Sequence, residues 1–254
     1  MTLTFLGTGT SQGIPVIGSN HPVCLSTDSK DKRLRVSVWI KTAKNSIVID
    51  CTPDFRYQML RSHCEKIDAL LFTHHHADHT AGLDDIRPFC FKQGALPIFA
   101  SLDTAINLKR RFDYVFETSN RYPGAPDVSL IVVSSNATFW VNGEEIVPIE
   151  IMHGDLPVLG FRIGNLAYLT DMKTIAPAEQ EKLIGLEVLI VNALRNEPHH
   201  SHLTLDEALF FIEQVKPKKA YFTHISHRLG FHEEVSKKLP KNVFLAYDNL
   251  TINF

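Results

Sequence analysis

The sequence predicts an α/β protein made of two sheet-and-helix halves packed as layers, on three observations. Short apolar runs closed by turn residues recur along the whole chain. Stretches of helical periodicity fill the gaps between them, and the order of strands followed by a helix appears in the first half and again in the second. No linker rich in Pro, Gly or Ser separates the halves, and no short fixed-period repeat is visible. With 254 residues, 44% of them hydrophobic, the chain is long enough to bury a full core as one domain spanning 1–254.

In chain order, strands are predicted at residues 3–6, 36–41, 46–50, 69–72, 98–100, 130–133, 146–151, 159–163, 166–170, 188–192, 219–222 and 243–245. The first ends in the glycine-rich turn Gly7-Thr8-Gly9-Thr10, which lacks both the Lys of a P-loop and the three-glycine dinucleotide pattern. It reads as a tight turn. Helical periodicity covers 55–65, 101–112, 176–185 and 204–215. The last is the clearest, because Thr204-Leu-Asp-Glu207 has the form of a capping box ahead of an apolar stripe. Residues 116–129, with Pro123, Gly124 and Pro126, form the longest predicted loop and a cover for a site.

Charge and cysteine usage narrow the setting. A formal net charge of -2 gives no electrostatic footprint for a nucleic-acid partner, and the short basic clusters at 30–35, 109–111 and 216–219 read as solvated faces. No apolar run reaches the roughly 20 residues a membrane helix needs. The N-terminus lacks a signal-peptide pattern, and Cys24, Cys51, Cys64 and Cys90 are scattered without a disulfide framework, which suits a reducing cytoplasm.

The chemistry is concentrated in Thr73-His74-His75-His76-Ala77-Asp78-His79, directly after the apolar run 67–72. Imidazoles and a carboxylate at the end of a buried strand can converge on one point. That donor set suits Zn, Mn or Fe, and the absence of thiolates points to a catalytic rather than a closed structural site. Further donors are sought at other strand ends. His153 follows the run 146–151, Asp171 follows 166–170, and His224 follows 219–222.

With those residues in place, the sequence resembles the metallo-β-lactamase-fold hydrolases, whose signature is a His-x-His-x-Asp-His run followed in order by a His, an Asp and a His. The resemblance implies a four-layer αββα sandwich with two divalent ions at one edge of the sheets. His74, His76 and His153 would hold one ion, Asp78, His79 and His224 the other, and Asp171 would bridge them. Asp50, after the strand at 46–50, falls where the family keeps a supporting acid. Such a centre activates a bound hydroxide as nucleophile and stabilises charge on a phosphoryl or carbonyl group.

Within that superfamily the chain is similar to the cyclic-phosphate phosphodiesterase of carbon-phosphorus lyase pathways. The matching pieces are Phe5 to Ser11 with Gly13-Ile-Pro15, Asp50 to Arg56, Asp84-Asp85-Ile-Arg87-Pro88 and the run His199 to Ala208. The resemblance implies that His202 is the general acid for the leaving oxygen, with His199 in support. A small cyclic or diester phosphate is the expected substrate, and the assembly is left open, a homodimer being unremarkable for such a chain. Relatives also carry a structural zinc on a Cys-x-Cys-x-x-Cys run and a later His. Here Ser19 and His21 replace two of the thiolates, leaving His21, Cys24 and His227 as candidate ligands. Arg87 and Arg195 are secondary candidates as phosphate clamps. Three other activities share the core motif: a tRNA 3'-processing endonuclease, an acyl hydrolase acting on lactones or thioesters, and a non-catalytic metal-binding module.

Overall fold

The computed structural model describes residues 1–119 and 121–254. Its strands run β1 Thr2–Gly7, β2 Ser37–Lys41, β3 Ser46–Ile49, β4 Ala69–Leu71, β5 Leu96–Ala100 and β6 Val128–Val132 in the first half. The second half holds β7 Phe139–Val141, β8 Glu144–His153, β9 Leu156–Ile163, β10 Leu166–Leu169, β11 Thr174–Ile175, β12 Val188–Asn192, β13 Lys219–Thr223 and β14 Val243–Leu245. The final strand, β15 Thr251–Asn253, returns to pair with β1. One sheet has the order β15-β1-β2-β3-β4-β5-β6, and the other β11-β8-β9-β10-β12-β13-β14 with β7 paired to β8.

Side-chain alternation explains why the central strands are apolar throughout. In β3, Ile47 and Ile49 enter the core between the sheets while Val48 faces the outer helices of its own sheet. On β12, Val188 and Ile190 face inward and Leu189 and Val191 outward. A strand covered on both faces reads as an unbroken apolar run. Helices Phe55–Ser62, Arg87–Gln93 and Leu102–Arg111 cover the first sheet, and helix Leu205–Val215 covers the second, so the molecule is an αββα sandwich.

Parallel pairing fixes where the chemistry can lie. Strands β3 to β6 are mutually parallel, as are β10, β12, β13 and β14, so their carboxyl ends gather at common edges. The residues after β3, β4, β10 and β13 are those the sequence nominates.

Some predicted elements shift. The helix at 55–65 stops at Ser62, because His63 adopts a left-handed conformation and caps it. The one at 176–185 contracts to Pro177–Gln180 and a 3-10 turn Glu181–Leu183. Of the loop at 116–129, Asn120 lies outside the described residues. Arg121 pairs with Asp127 at 2.8 Å, and the Asp127 carbonyl accepts from Cys90 Sγ at 3.0 Å, which pins the loop to a helix of the first sheet. All four cysteines are buried and free. Among the described residues no helix is long and apolar enough to cross a membrane.

Candidate metal centre

After β4 the backbone passes through Phe72 and Thr73, both buried, and turns so that His74 and His79 are buried and His76 and Asp78 only partly so. Asp50 organises this turn from the end of β3. Its carboxylate accepts from Thr73 N at 2.8 Å, from Thr73 Oγ1 at 2.8 Å and from His79 Nδ1 at 2.7 Å. Thr73 Oγ1 also lies 3.0 Å from His74 Nδ1. Fixing Nδ1 in this way leaves Nε2 of each ring as the donor toward the centre. Arg111, at the end of its helix, donates to the His75 carbonyl at 2.9 Å and to Thr80 Oγ1 at 2.8 Å, strapping the loop from outside.

The second half delivers its donors singly. His153 ends β8 and its Nδ1 donates to the Ser201 carbonyl at 2.9 Å, which again presents Nε2. Asp171 follows β10, with Oδ2 accepting from Thr170 Oγ1 at 2.8 Å. Behind it, the Asn192 amide brackets Met172, accepting from its N–H at 2.7 Å and donating to its carbonyl at 3.0 Å. His224 follows β13. Asp50, Asp171 and His224 all have positive φ, at 66°, 60° and 53°. L-residues seldom adopt that conformation, so these strand ends hold strain that aims their side chains into the cleft.

Across the interface the two sets meet. His79 Nε2 is 3.3 Å from Asp78 Oδ2 and 3.2 Å from Asp171 Oδ2, while His224 Nε2 is 3.2 Å from Asp171 Oδ1. The trio His74, His76 and His153 has donor atoms within 4.8 Å of one another, and so does the trio Asp78, His79 and His224. Asp171 belongs to a third trio with His74 and His79. Nε2 of His74, His79 and His224 are buried without a hydrogen-bond partner among the described residues. A buried imidazole nitrogen left unpaired is costly. Several converging on carboxylates fit a divalent cation.

Electrostatics agrees with that fit. Burial pushes His74 well below its ordinary value, keeping it a neutral donor. For His79, burial acts downward, but the carboxylates of Asp78, Asp171 and Asp50 together pull it well above the usual range. Asp171 is depressed in spite of its burial, because His224 and His79 face it. A pocket that draws a proton so strongly draws a metal cation by the same field.

His202 sits at the edge of this centre, its Nε2 3.8 Å from Asp171 Oδ1 and its ring stacked 4.7 Å from His224. It also forms a trio of donors with His153 and Asp171, so the geometry alone leaves it able to ligate as well as to donate. Burial pushes its imidazole down to about 2. Behind it, Thr204 and Glu207 close the capping box in both directions, at 3.2 and 2.8 Å. The His199 ring lies 5.0 Å from that of His202.

Other nominated residues are placed differently. Arg87 is ion-paired with Asp84, and Arg195 donates to the Glu197 and Pro198 carbonyls of its own loop at 3.1 and 2.8 Å. His21 and His227 rings meet at 4.8 Å. His21 Nδ1 accepts from Val23 N at 3.3 Å and Cys24 Sγ from Val16 N at 3.4 Å, so each already serves its own loop. Among the described residues, His21, Cys24 and His227 are not among the trios whose donor atoms lie within 4.8 Å. Sequence reasoning did not foresee the supporting roles of Thr73, the Ser201 carbonyl, Asn192 and Arg111. Asn192 had a signal, as a polar residue ending a predicted strand, whereas Arg111 had none.

Residues 45–225 match the family described as a beta-lactamase superfamily domain. The chain is similar to the crystal structure of a new diphosphatase from the PhnP family, at 42% identity over 100% of this chain and 97% of that one, with a TM-score of 0.92. The short form of human tRNase Z superposes with a TM-score of 0.71 over 100% of this chain and 99% of that one, but at 19% identity it shows likeness of fold alone. An octanoyltransferase of Porphyromonas gingivalis is 41% identical over 252 residues, 98% of this chain and 51% of that protein. The chain therefore spans about half the length of that curated relative.

Proposed function

The chain belongs to the beta-lactamase superfamily, as a metallo-β-lactamase-fold hydrolase related to the PhnP family, and on that basis we propose that it is a dinuclear phosphodiesterase of small cyclic or diester phosphates. The observation that carries the reading is the pair of donor trios, His74-His76-His153 and Asp78-His79-His224, with the Asp171 carboxylate beside both. Two divalent ions held by these residues would supply an activated water and neutralise charge on the phosphoryl oxygens. Zinc, manganese and iron all suit these nitrogen and oxygen donors.

The chain's own residues do the rest. Asp50 and the Ser201 carbonyl hold the His79 and His153 rings in the tautomer that presents Nε2. Asp171 spaces the two donor sets. His202 Nε2 carries the proton passed to the leaving oxygen, and the negative charge of a bound diester raises its proton affinity against the effect of burial. Reaction in one domain spanning 1–254, with a small substrate rather than a nucleic acid, accords with the chain's near-neutral charge.

A second reading, hydrolysis of a carboxylic ester or thioester, draws on the relative named octanoyltransferase. That name belongs to a protein with as much chain again outside the matched half, so it ranks second. Turnover of bis(p-nitrophenyl) phosphate, p-nitrophenyl phosphate, a lactone and an octanoyl thioester by zinc- and manganese-loaded protein separates the two. Diester cleavage alone is the expected result. Activity confined to the acyl substrates would overturn the phosphodiesterase reading.

A further inference from the structure

A cavity of about 640 Å³ opens between the two halves, a size that suits a small organic ligand. The start of helix Leu102–Arg111 and the end of β6 form one wall, and the β8–β9 hairpin forms the other. The same segments frame the candidate metal centre. Leu156, a wall residue, is the register partner of His153, and Leu159 N donates to the Thr73 carbonyl at 2.9 Å. His75 lines the cavity too, with its ring 5.3 Å from that of His76. A phosphorus held at the His74-His76-His153 trio therefore has this space as its neighbour. His202, which passes a proton to the leaving oxygen in the reading above, lines no part of it.

The walls limit what the cavity can hold. Leu102 and Val132 stand 63% and 52% exposed, with Val133, Leu156 and Val158 completing an apolar surface. Apolar side chains left in water around a cleft gain by being covered. Charge sets the second limit. No Lys or Arg lines the cavity among the described residues, whereas Asp103 and Glu150 do. His75 Nδ1 stands 2.9 Å from Asp103 Oδ2, and Lys182, which donates to the Ser135 carbonyl at the rim, is ion-paired with Glu179 at 2.8 Å. That leaves Glu150, whose carboxylate accepts from Ser135 Oγ at 3.4 Å, to set the sign. An anionic group would meet like charge there.

We infer that this cavity receives the ester group that stays on phosphorus, and that it favours an uncharged, ring-sized apolar group over an anionic one. The inference rests on the phosphodiesterase reading, because it concerns which diesters that centre cleaves. Contacts made by a group that does not react lower KM more than they raise kcat, so the preference should lie in KM.

Three p-nitrophenyl phosphodiesters that differ only in the retained group, methyl, phenyl or 4-carboxyphenyl, test it on the zinc-loaded protein. Release of p-nitrophenolate reads all three. The phenyl ester should exceed both the methyl and the 4-carboxyphenyl ester in kcat/KM by at least about tenfold. Ser134→Trp, a change at the exposed rim, should bring the phenyl ester down to the level of the methyl ester and leave the methyl ester unchanged. Glu150→Lys should place the 4-carboxyphenyl ester above the phenyl ester. Equal kcat/KM for the three esters, or a phenyl preference that survives in both variants, overturns the inference and leaves the phosphodiesterase reading standing. Turnover of an acyl substrate with none of the three diesters cleaved overturns that reading and the inference with it.

Discussion

The two halves of the molecule supply the candidate centre in opposite ways. The first contributes His74, His76, Asp78 and His79 from one turn after β4, with Asp50 tying that turn to the neighbouring strand. The second contributes His153, Asp171, His202 and His224 from four separate segments, each held by its own support, such as the Ser201 carbonyl for His153 and the Thr170 hydroxyl for Asp171. A contiguous motif fixes relative positions through a few backbone dihedrals. Dispersed donors depend on sheet register and on packing over a long span of chain. The first set should therefore form early and tolerate distant change, and the second should be the more sensitive to its surroundings.

Breaking the contact between the halves should have the largest effect. Asp171→Asn keeps a side chain that tolerates the left-handed backbone but removes the charge facing His79 and His224. Diester turnover should fall by about a thousandfold or more, with loss of roughly one metal equivalent by elemental analysis. A variant that keeps both its metals and its rate would contradict the placement of Asp171 between them.

His202→Ala sharpens the comparison, because it removes a donor of the second half that the reading assigns to proton transfer rather than to binding metal. The rate should drop by about a hundredfold or more while metal content is retained, and substrates with good leaving groups should suffer least. Metal loss in this variant would make His202 a ligand instead. Asp50→Asn probes the support of the first half. Metal affinity by chelator competition should weaken by about tenfold to a hundredfold, since the amide holds the His79 ring less firmly in its tautomer. The smallest effect belongs to Thr204→Ala, which opens the capping box under the His199–His202 segment and should cost about 1 kcal/mol in denaturant unfolding.

The same contrast explains what was legible in the sequence. The 73–79 run announces itself because its donors are adjacent, and the capping box at Thr204 because capping is local chemistry. The central strands were legible from their unbroken apolar runs. His153, Asp171 and His224 needed the extra idea that strand ends converge, and their assignment to particular ions came through resemblance rather than spacing. What escaped notice was tertiary. Strand β15 is Thr-Ile-Asn, with no pattern of its own, and exists because Leu3 pairs with Ile252. Helix Arg87–Gln93 starts at a residue followed by Pro88, which suits a first turn but reads locally as a break. Arg111 supports the loop by donating to the His75 carbonyl and the Thr80 hydroxyl, both more than 30 residues away, and no local pattern encodes that.

The left-handed conformations of Asp50, Asp171 and His224 carry a consequence for how this protein can change. A non-glycine residue held there costs on the order of 1–3 kcal/mol. Replacement by glycine releases that strain at each, but at Asp50 it strips the acceptor from Thr73 and His79 and at Asp171 the carboxylate that faces His79 and His224, and those losses outweigh the relief. Selection for thermal stability alone, applied to a randomised library, would therefore favour glycine at His224, whose ring nitrogens are buried without a hydrogen-bond partner among the described residues, and return a sturdier protein with no function. A screen for improved variants must select on turnover and melting temperature together, because at that position the two pull apart.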